Sequence, residues 1–278
     1  MRPLSFKRII EVCSLALNDD NISFDLISDQ LSLTPRRGKE ILRELTSMNL
    51  LSKTNDSYIP TQNTRKIVDY FVKGDWNGIH DYFKMNNPFY REMMLFVTTK
   101  GANNSFTLKG LLQNFMDHEL DYNQTILDVL MRWGERFGVL QRHLYKKTFY
   151  AIKDATPDNS IFVSSLKKHY NTLNVKKGLF LSQTFVEIPK LREDICENLT
   201  MKREIFDSLF MDYYLSALGT VELAGAPAIT AAKHSPLNIR KTHIELNGTF
   251  VSPIFDLEKE RRGITIKGKN YYYLAIYS

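Results

Sequence analysis

Residues 22–60 contain two short helical patterns, separated by a polar break and followed by two strand-like segments. Apolar residues recur at helical spacing over 41–48. Thr34 and Pro35 stand where this second helix should begin, because a threonine side chain can cap a helix N-terminus and proline needs no N–H donor in the first turn. Residues 51–60 alternate around a polar tip, which predicts a small β-hairpin. The same order of elements recurs twice further along the chain.

This pattern resembles the winged helix-turn-helix superfamily. In that family the second helix of the motif enters the major groove of DNA, and its N-terminal residues contact the bases. The resemblance therefore implies DNA contacts from Thr34, Arg36, Arg37, Lys39 and Arg43. These residues lie off the apolar face of the helix, so we expect them to face solvent. Winged helices also serve as protein-docking modules, and a mixed-charge helix face is often only a solvated surface.

Two later stretches of the sequence show the same order of elements, which predicts a tandem arrangement. The predicted fold class is mainly α with small β-hairpins (α+β), with three winged-helix domains and a strand-rich C-terminal end. We predict a first winged-helix domain over residues 1–62, a helical linker over 63–87, a second winged-helix domain over 88–155 and a third winged-helix-like domain over 156–278.

The last forty residues or so of the chain contain two further hairpin signals. One is the Asn247-Gly248 pair, and the other is the polar segment 267–270 between apolar, aromatic stretches. These strands either complete the wing of the third domain after an insertion or form a small β appendage.

Basic residues in the second and third predicted domains extend the predicted DNA contacts. Arg142, Lys146 and Lys147 lie in the second predicted hairpin, where a wing touches the phosphate backbone. Lys202 and Arg203 begin the third recognition-type helix, and we expect both to face outward. The net charge of +6 and the pI of about 9.1 are compatible with an anionic partner without identifying one.

Known catalytic motifs are missing from the sequence. It has no phosphate-binding glycine loop, no nucleophile elbow and no CxxC or HExxH spacing. The acidic residues Asp117, Glu119 and Asp121 are not followed by the closing glutamate of a calcium loop. We therefore expect no enzymatic activity, no cofactor and no metal site. An enzyme whose site is assembled across the domains is the less favoured alternative.

Cysteine usage and hydropathy bear on the cellular compartment. Cys13 and Cys196 lie far apart in apolar helical patterns, which is typical of reduced core thiols. The N-terminal residues lead into an amphipathic helix rather than a signal peptide, and no apolar run is long enough to span a membrane. We predict a cytoplasmic protein without a membrane partner.

Two functions remain open on these grounds. The first is a non-enzymatic protein that grips double-stranded DNA with tandem winged-helix units, either a transcriptional regulator or an accessory subunit of a DNA-processing complex. The second is a winged-helix adaptor that docks a protein partner subunit and binds DNA weakly or not at all. The modest net charge keeps the adaptor in consideration, and the oligomeric state stays open.

Overall fold

The computed structural model describes residues 3–19, 21–55, 57–99, 105–116, 118–153, 155–175, 185–225, 244–246, 249–251 and 263–277. Within these residues the protein is mainly helical and carries small antiparallel sheets. This observation confirms the α+β class in general terms. Both cysteines, Cys13 and Cys196, are buried free thiols.

The chain divides into two compact units. Unit 1 takes its described residues from Met1–Lys100, Phe106–Leu140 and Thr242–Ile254, and unit 2 takes its own from Gly101–Ser105, Gln141–Lys241 and Phe255–Ser278. The predicted segment 88–155 thus contributes helices to unit 1 and, from Gln141 onward, a strand pair to unit 2. The division into three domains remains a prediction.

Unit 1 opens with the predicted pair of helices and hairpin. Its first elements are α1 (Phe6–Asp19), α2 (Phe24–Gln30), α3 (Pro35–Ser47), β1 (Leu51–Thr54) and β2 (Ser57–Pro60). The two strands are antiparallel, with Leu51 opposite Pro60 and Thr54 opposite Ser57. The predicted hairpin is therefore confirmed.

Local capping explains where α2 and α3 begin. The Ser23 hydroxyl accepts a hydrogen bond from the Leu26 N–H at 3.1 Å, and the Thr34 hydroxyl accepts one from the Arg37 N–H at 3.3 Å. These bonds satisfy N–H groups that have no partner inside the helix. Because Ser23 is a cap, strand pairing before α2 is limited to a single bridge between Ile22 and Tyr58.

The rest of unit 1 is helical and surrounds an aromatic core. It contains α4 (Gln62–Lys73), α5 (Trp76–Asn86), α6 (Pro88–Thr99), β3 (Phe106–Thr107), α7 (Leu108–Asn114) and α8 (Gln124–Arg136). Phe83 of α5 packs on Trp133 of α8 with ring centroids 4.8 Å apart, and Phe6 of α1 packs on Phe137 at 5.2 Å. The Trp133 indole N–H donates to the Leu4 carbonyl at 3.1 Å. The N-terminal helix is thereby fixed to the later helices of the unit.

In the residues that the structure describes, unit 2 combines three helices with short strands. After β4 (Leu140–Arg142), whose first residue belongs to unit 1, come β5 (Thr148–Ala151), α9 (Asn159–Val175), β6 (Val186–Glu187), α10 (Ile188–Leu199), α11 (Arg203–Ser216) and β7 (Val221–Ala224). Phe162, Phe206 and Phe210 are fully buried in its core beside Leu191 of α10. Ile195 of α10 also faces this core, whereas Leu209 of α11 is only partly buried.

The C-terminal strands belong to two different units. Strands β8 (Ile244–Leu246) and β9 (Thr249–Val251) pair with each other and belong to unit 1, and the predicted Asn247-Gly248 turn lies outside the described residues. Strands β10 (Ile264–Ile266) and β11 (Lys269–Tyr271) form a hairpin in unit 2. Its turn residues Lys267 and Gly268 both have positive φ, which is the geometry of a tight two-residue hairpin turn.

The last strand, β12 (Tyr273–Ile276), belongs to a different sheet from the hairpin that precedes it. It lies between β6 and β7 and pairs antiparallel with both. The strand that completes the sheet beside α11 is therefore supplied after a long insertion, whereas the hairpin of β10 and β11 forms a separate two-stranded sheet.

Candidate nucleic-acid interface

The exposed face of α3 carries a stripe of three basic side chains. Arg36, Lys39 and Arg43 are exposed, at spacings of three and four residues that place them on one side of the helix. On the opposite side Ile41, Leu42 and Leu45 are buried. Thr34 is exposed at the N-cap position. These four predicted residues therefore face solvent as expected.

Ion pairs within α3 distinguish its two adjacent arginines. Arg36 Nε lies 3.3 Å from Glu40 Oε1, and Arg37 Nη1 lies 2.9 Å from Glu40 Oε2. The side chain of Arg36 remains 91% exposed, whereas that of Arg37 is 19% exposed. The hydrogen bond from Arg37 lowers the pKa of Glu40. Arg37 is thus the least accessible of the predicted contacts on this helix, and the prediction that it faces solvent holds only in part.

Lys39 is held in place by an aromatic ring. Its ammonium nitrogen lies 4.2 Å from the centroid of the Phe24 ring on α2. Such a cation–π contact orients the ammonium group at the surface while leaving part of the group accessible to water. The lysine is therefore oriented by α2 but still exposed to a partner.

A buried carboxyl group lies on the inner side of the same helix. Glu44 is 7% exposed, and burial raises its pKa to about 7, although a backbone hydrogen bond involving Leu4 favours the carboxylate. The folded protein consequently holds a proton that the unfolded chain releases above its ordinary pKa of 4.5. The stability contribution of this group therefore falls as pH rises from about 4.5 to about 7 and is level above that range.

Replacing Glu44 with glutamine should remove this pH dependence. Glutamine retains an acceptor oxygen for a backbone N–H and carries no charge, so the variant should be more stable than the wild type at pH 8 by up to about 3 kcal/mol. Urea unfolding between pH 5 and pH 8 measures the difference. Parallel stability curves for the two proteins across this range would contradict the assignment of a buried, protonated Glu44.

The helix that corresponds to α3 in the second predicted domain, α8, has no basic stripe. On α8, Gln124 and Thr125 are exposed, and Arg132 pairs with Asp128 at 2.9 Å. The one exposed arginine on this face is thus balanced by a carboxylate one turn away. In the described part of α8, charge alone favours no anionic partner.

The second hairpin, between β4 and β5, is tied to α10 by an ion cluster. The Lys146 ammonium lies 2.7 Å from Asp194 Oδ1 and 2.8 Å from Glu197 Oε2. The Thr148 hydroxyl donates to Glu197 Oε1 at 2.6 Å. Burial opposes ionisation of Asp194, but hydrogen bonds from His143 and Lys146 outweigh it and lower the pKa to about 2. Two carboxylates of α10 neutralise the charge of Lys146, although its side chain is 50% exposed, so we expect it to add little to phosphate binding.

Both ring nitrogens of His143 form hydrogen bonds within the same cluster. The Nδ1 atom accepts backbone N–H groups from Tyr145 at 3.2 Å and Lys146 at 3.1 Å. The proton therefore resides on Nε2, which donates to Asp194 Oδ1 at 3.2 Å. His143, Asp194 and Glu197 have the residue types of a metal site, and their ligand atoms lie within 4.8 Å of one another. The Lys146 ammonium occupies the place of a cation and Nε2 carries a proton, so the geometry is that of an ion-pair cluster.

Neighbouring lysines of this hairpin should behave differently on substitution. Replacing Lys146 with methionine leaves two carboxylates without their cation and should lower the free energy of unfolding by about 1 kcal/mol, without changing DNA affinity. Replacing exposed Lys147 with alanine should change stability by less than about 0.5 kcal/mol. Urea unfolding of both variants tests the difference in stability, and DNA titrations of both test whether the Lys146 variant keeps its affinity. A loss of DNA affinity in the Lys146 variant alone would reverse the assignment.

Arg203 is not on the surface. Its side chain is 4% exposed and its Nε lies 2.5 Å from Oε1 of Glu193, which is itself fully buried. Nη2 donates to Glu193 Oε2 at 2.8 Å and to the Arg142 carbonyl at 2.7 Å. The prediction that Arg203 faces outward is therefore wrong, because α11 turns this residue toward α10.

The remaining predicted contacts have mixed positions. Arg142 and Lys147 are exposed, while Lys202 is partly buried at the position just before α11. Of the ten residues predicted to contact DNA, seven are exposed, Arg37 and Lys202 are partly buried, and Arg203 is buried. Sequence reasoning missed the acidic partners Glu193, Asp194 and Glu197, which lie together on α10.

No protein-family model matches this chain, and no curated protein matches its sequence significantly. None of the helices in the described ranges combines the length and hydrophobicity needed to cross a bilayer. The arrangement of the side chains therefore carries the functional argument.

Proposed function

We propose that this chain is a non-enzymatic protein that binds double-stranded DNA through α3 of unit 1, using tandem winged-helix units. The observation that carries the proposal is the exposed stripe of Arg36, Lys39 and Arg43 on the second helix of a capped helical pair. A transcriptional regulator or an accessory subunit of a DNA-processing complex fits this activity. No cofactor or metal is part of the proposal.

The geometry of α3 suits a groove of duplex DNA. Thirteen residues give a helix about 20 Å long, and the major groove is wide enough to admit one helix. Arginine can donate two hydrogen bonds to a guanine edge or to a phosphate, and lysine can contact phosphate oxygens. The capped N-terminus adds a favourable dipole for phosphate.

The hairpin after α3 adds one exposed cation to the three on the α3 stripe. Lys53 is exposed on β1, and the neighbouring Thr54 and Asn55 are exposed at the hairpin tip. In unit 2, exposed Arg142 and Lys147 offer further phosphate contacts. Affinity from these residues should be independent of base sequence, because phosphates carry no sequence information.

A protein adaptor is the second candidate function. It is favoured by large apolar side chains on the surface of unit 1, where Met85 is 75% exposed and Leu95 is 51% exposed. Exposed apolar side chains of this size are common at docking surfaces when they form a contiguous patch. The two candidates differ in how strongly duplex DNA binds, because the adaptor binds it weakly or not at all.

Fluorescence anisotropy with a labelled duplex of mixed sequence separates the two functions. The DNA-binding protein should show measurable affinity at low salt and a linear loss of log affinity with log salt concentration, as phosphate neutralisation releases counterions. An adaptor should show weak binding or none even at about 50 mM salt. The second result would refute the proposed function.

A further inference from the structure

The exposed face of α11 has the opposite charge to that of α3. Glu204, Ser208, Asp212 and Leu215 are all exposed, at successive spacings of four, four and three residues, and they form one stripe. Between Glu204 and Gly225 the sequence contains no lysine, arginine or histidine. The carboxylate of Glu222 on β7 is also exposed. A phosphate backbone would be repelled from this face.

Large apolar side chains adjoin the acidic stripe. Leu215, in the last turn of α11, is 56% exposed, and Leu218, two residues beyond the helix, is 67% exposed. Tyr277 is 44% exposed, and its backbone N–H donates at 2.8 Å to the carbonyl of Thr220, two residues after Leu218. Its hydroxyl donates to the Glu222 carboxylate at 2.6 Å. Carboxylates and apolar side chains therefore meet in one part of unit 2.

We propose that this acidic–apolar surface, formed by Glu204, Asp212, Leu215, Leu218, Glu222 and Tyr277, binds a basic amphipathic segment of a partner protein. The partner's apolar side chains would cover the two leucines and the tyrosine ring. Its lysine or arginine residues would pair with the carboxylates at the rim. Such pairing favours encounter and register, while buried apolar contacts supply most of the affinity.

The charge pattern selects this partner over the other occupants. Nucleic acid and acidic protein segments would face carboxylates without a neighbouring cation on this stretch of chain. A purely apolar segment would leave the carboxylates at the rim without partners. A segment that alternates basic and apolar side chains at helical spacing satisfies both parts of the surface.

A labelled peptide of leucine and lysine at helical spacing, about 18 residues long, is the probe for this surface. Binding of the full chain is measured by anisotropy and compared with a leucine–glutamate peptide and a serine–lysine peptide. The leucine–lysine peptide should bind about tenfold more tightly than either companion, since both charge and apolar contacts are required. Equal binding of the leucine–lysine and serine–lysine peptides would overturn the proposal.

Paired variants locate the binding site. The Glu204→Lys/Asp212→Lys variant and the Leu215→Ser/Leu218→Ser variant should each weaken peptide binding by about tenfold, and both should retain wild-type DNA binding. Glu119→Lys/Asp121→Lys is the matched control, because it reverses two exposed carboxylates in unit 1. Circular dichroism confirms folding, and Glu204→Gln/Asp212→Asn gives a milder version of the charge change. Wild-type peptide affinity in both surface variants, or an equal loss in the control, would overturn the proposal.

Discussion

Replacing Arg203 with alanine is expected to lower the free energy of unfolding by about 3–5 kcal/mol, because it leaves the buried carboxylate of Glu193 without its cation. Glu193 is fully buried and accepts two hydrogen bonds from the guanidinium. The same carboxylate accepts the Leu144 N–H at 2.9 Å. Removing its arginine partner therefore disturbs contacts of the hairpin as well as those of the two helices. Urea unfolding monitored by circular dichroism measures the loss.

Two further variants show whether the effect belongs to the pair. Glu193→Leu combined with Arg203→Met removes both charges and should recover more than half of the stability lost in Arg203→Ala, since a buried pair can often be replaced by apolar residues. Arg36→Ala removes an exposed arginine and should change stability by less than about 0.5 kcal/mol. A loss in Arg203→Ala no larger than that in Arg36→Ala would place Arg203 on the surface after all.

The second large effect is expected at the core of unit 2. Phe206 is fully buried, and its ring centroid lies 5.5 Å from that of Phe162 and 5.7 Å from that of Phe210. Replacing Phe206 with alanine leaves a cavity among these rings and should cost about 3–5 kcal/mol of unfolding free energy. Thermal and urea unfolding of the full chain test this value.

Leu209 provides the comparison on the same helix. It lies next to the core but is only partly buried, so Leu209→Ala should cost about 1–2 kcal/mol, less than the value for a fully buried leucine. The order Phe206 before Leu209 follows from the face that α11 presents to α10. A reversed order would mean that the helix is rotated relative to this account.

Short-range signals in the sequence were sufficient for the first helices and their hairpin. Thr34 and Pro35 fix the start of α3, since the cap and the ring both act within one turn. The polar tip between β1 and β2 allows the close antiparallel pairing that the alternation predicts. Features of this kind depend on residues a few positions apart and can be predicted without knowledge of the fold.

The position of Arg203 shows where residue type misleads. Arg203 stands three residues before Phe206 and seven before Phe210, so helical periodicity places it on the buried face. An arginine at such a position signals a buried anionic partner, and Glu193 stands three residues before buried Cys196 on α10. The periodicity contained the signal, but the charge of the residue suggested a surface position.

Long-range pairings had no local signal. Lys146 meets carboxylates that are 48 and 51 positions later in the chain, and their approach depends on how the hairpin packs on α10. Likewise β12 enters the sheet between β6 and β7 from the far end of the chain. The charge of Lys146 was therefore assigned to DNA when its partners are internal.

The three corresponding helices differ in the charge they expose. The α3 stripe stays basic, because it has three cations and Glu40 pairs with one of them, Arg36. The exposed arginine of α8 is paired with Asp128, and the α11 stripe is acidic. The proposed activities follow this order, with DNA contact assigned to unit 1 and protein contact assigned to α11 of unit 2. Helices at similar places in a predicted repeat need not share a binding function.

DNA binding by the Arg36→Ala/Lys39→Ala/Arg43→Ala variant tests the central claim most directly. Its anisotropy titrations over several salt concentrations are compared with those of the wild type and of Lys66→Ala/Lys84→Ala/Lys109→Ala, which removes three other exposed cations of unit 1. We expect the α3 variant to lose at least about tenfold in affinity and to flatten the log–log salt slope by about 0.9 per lost phosphate contact, with little change in the control. An affinity and salt slope equal to those of the wild type would contradict DNA binding by α3.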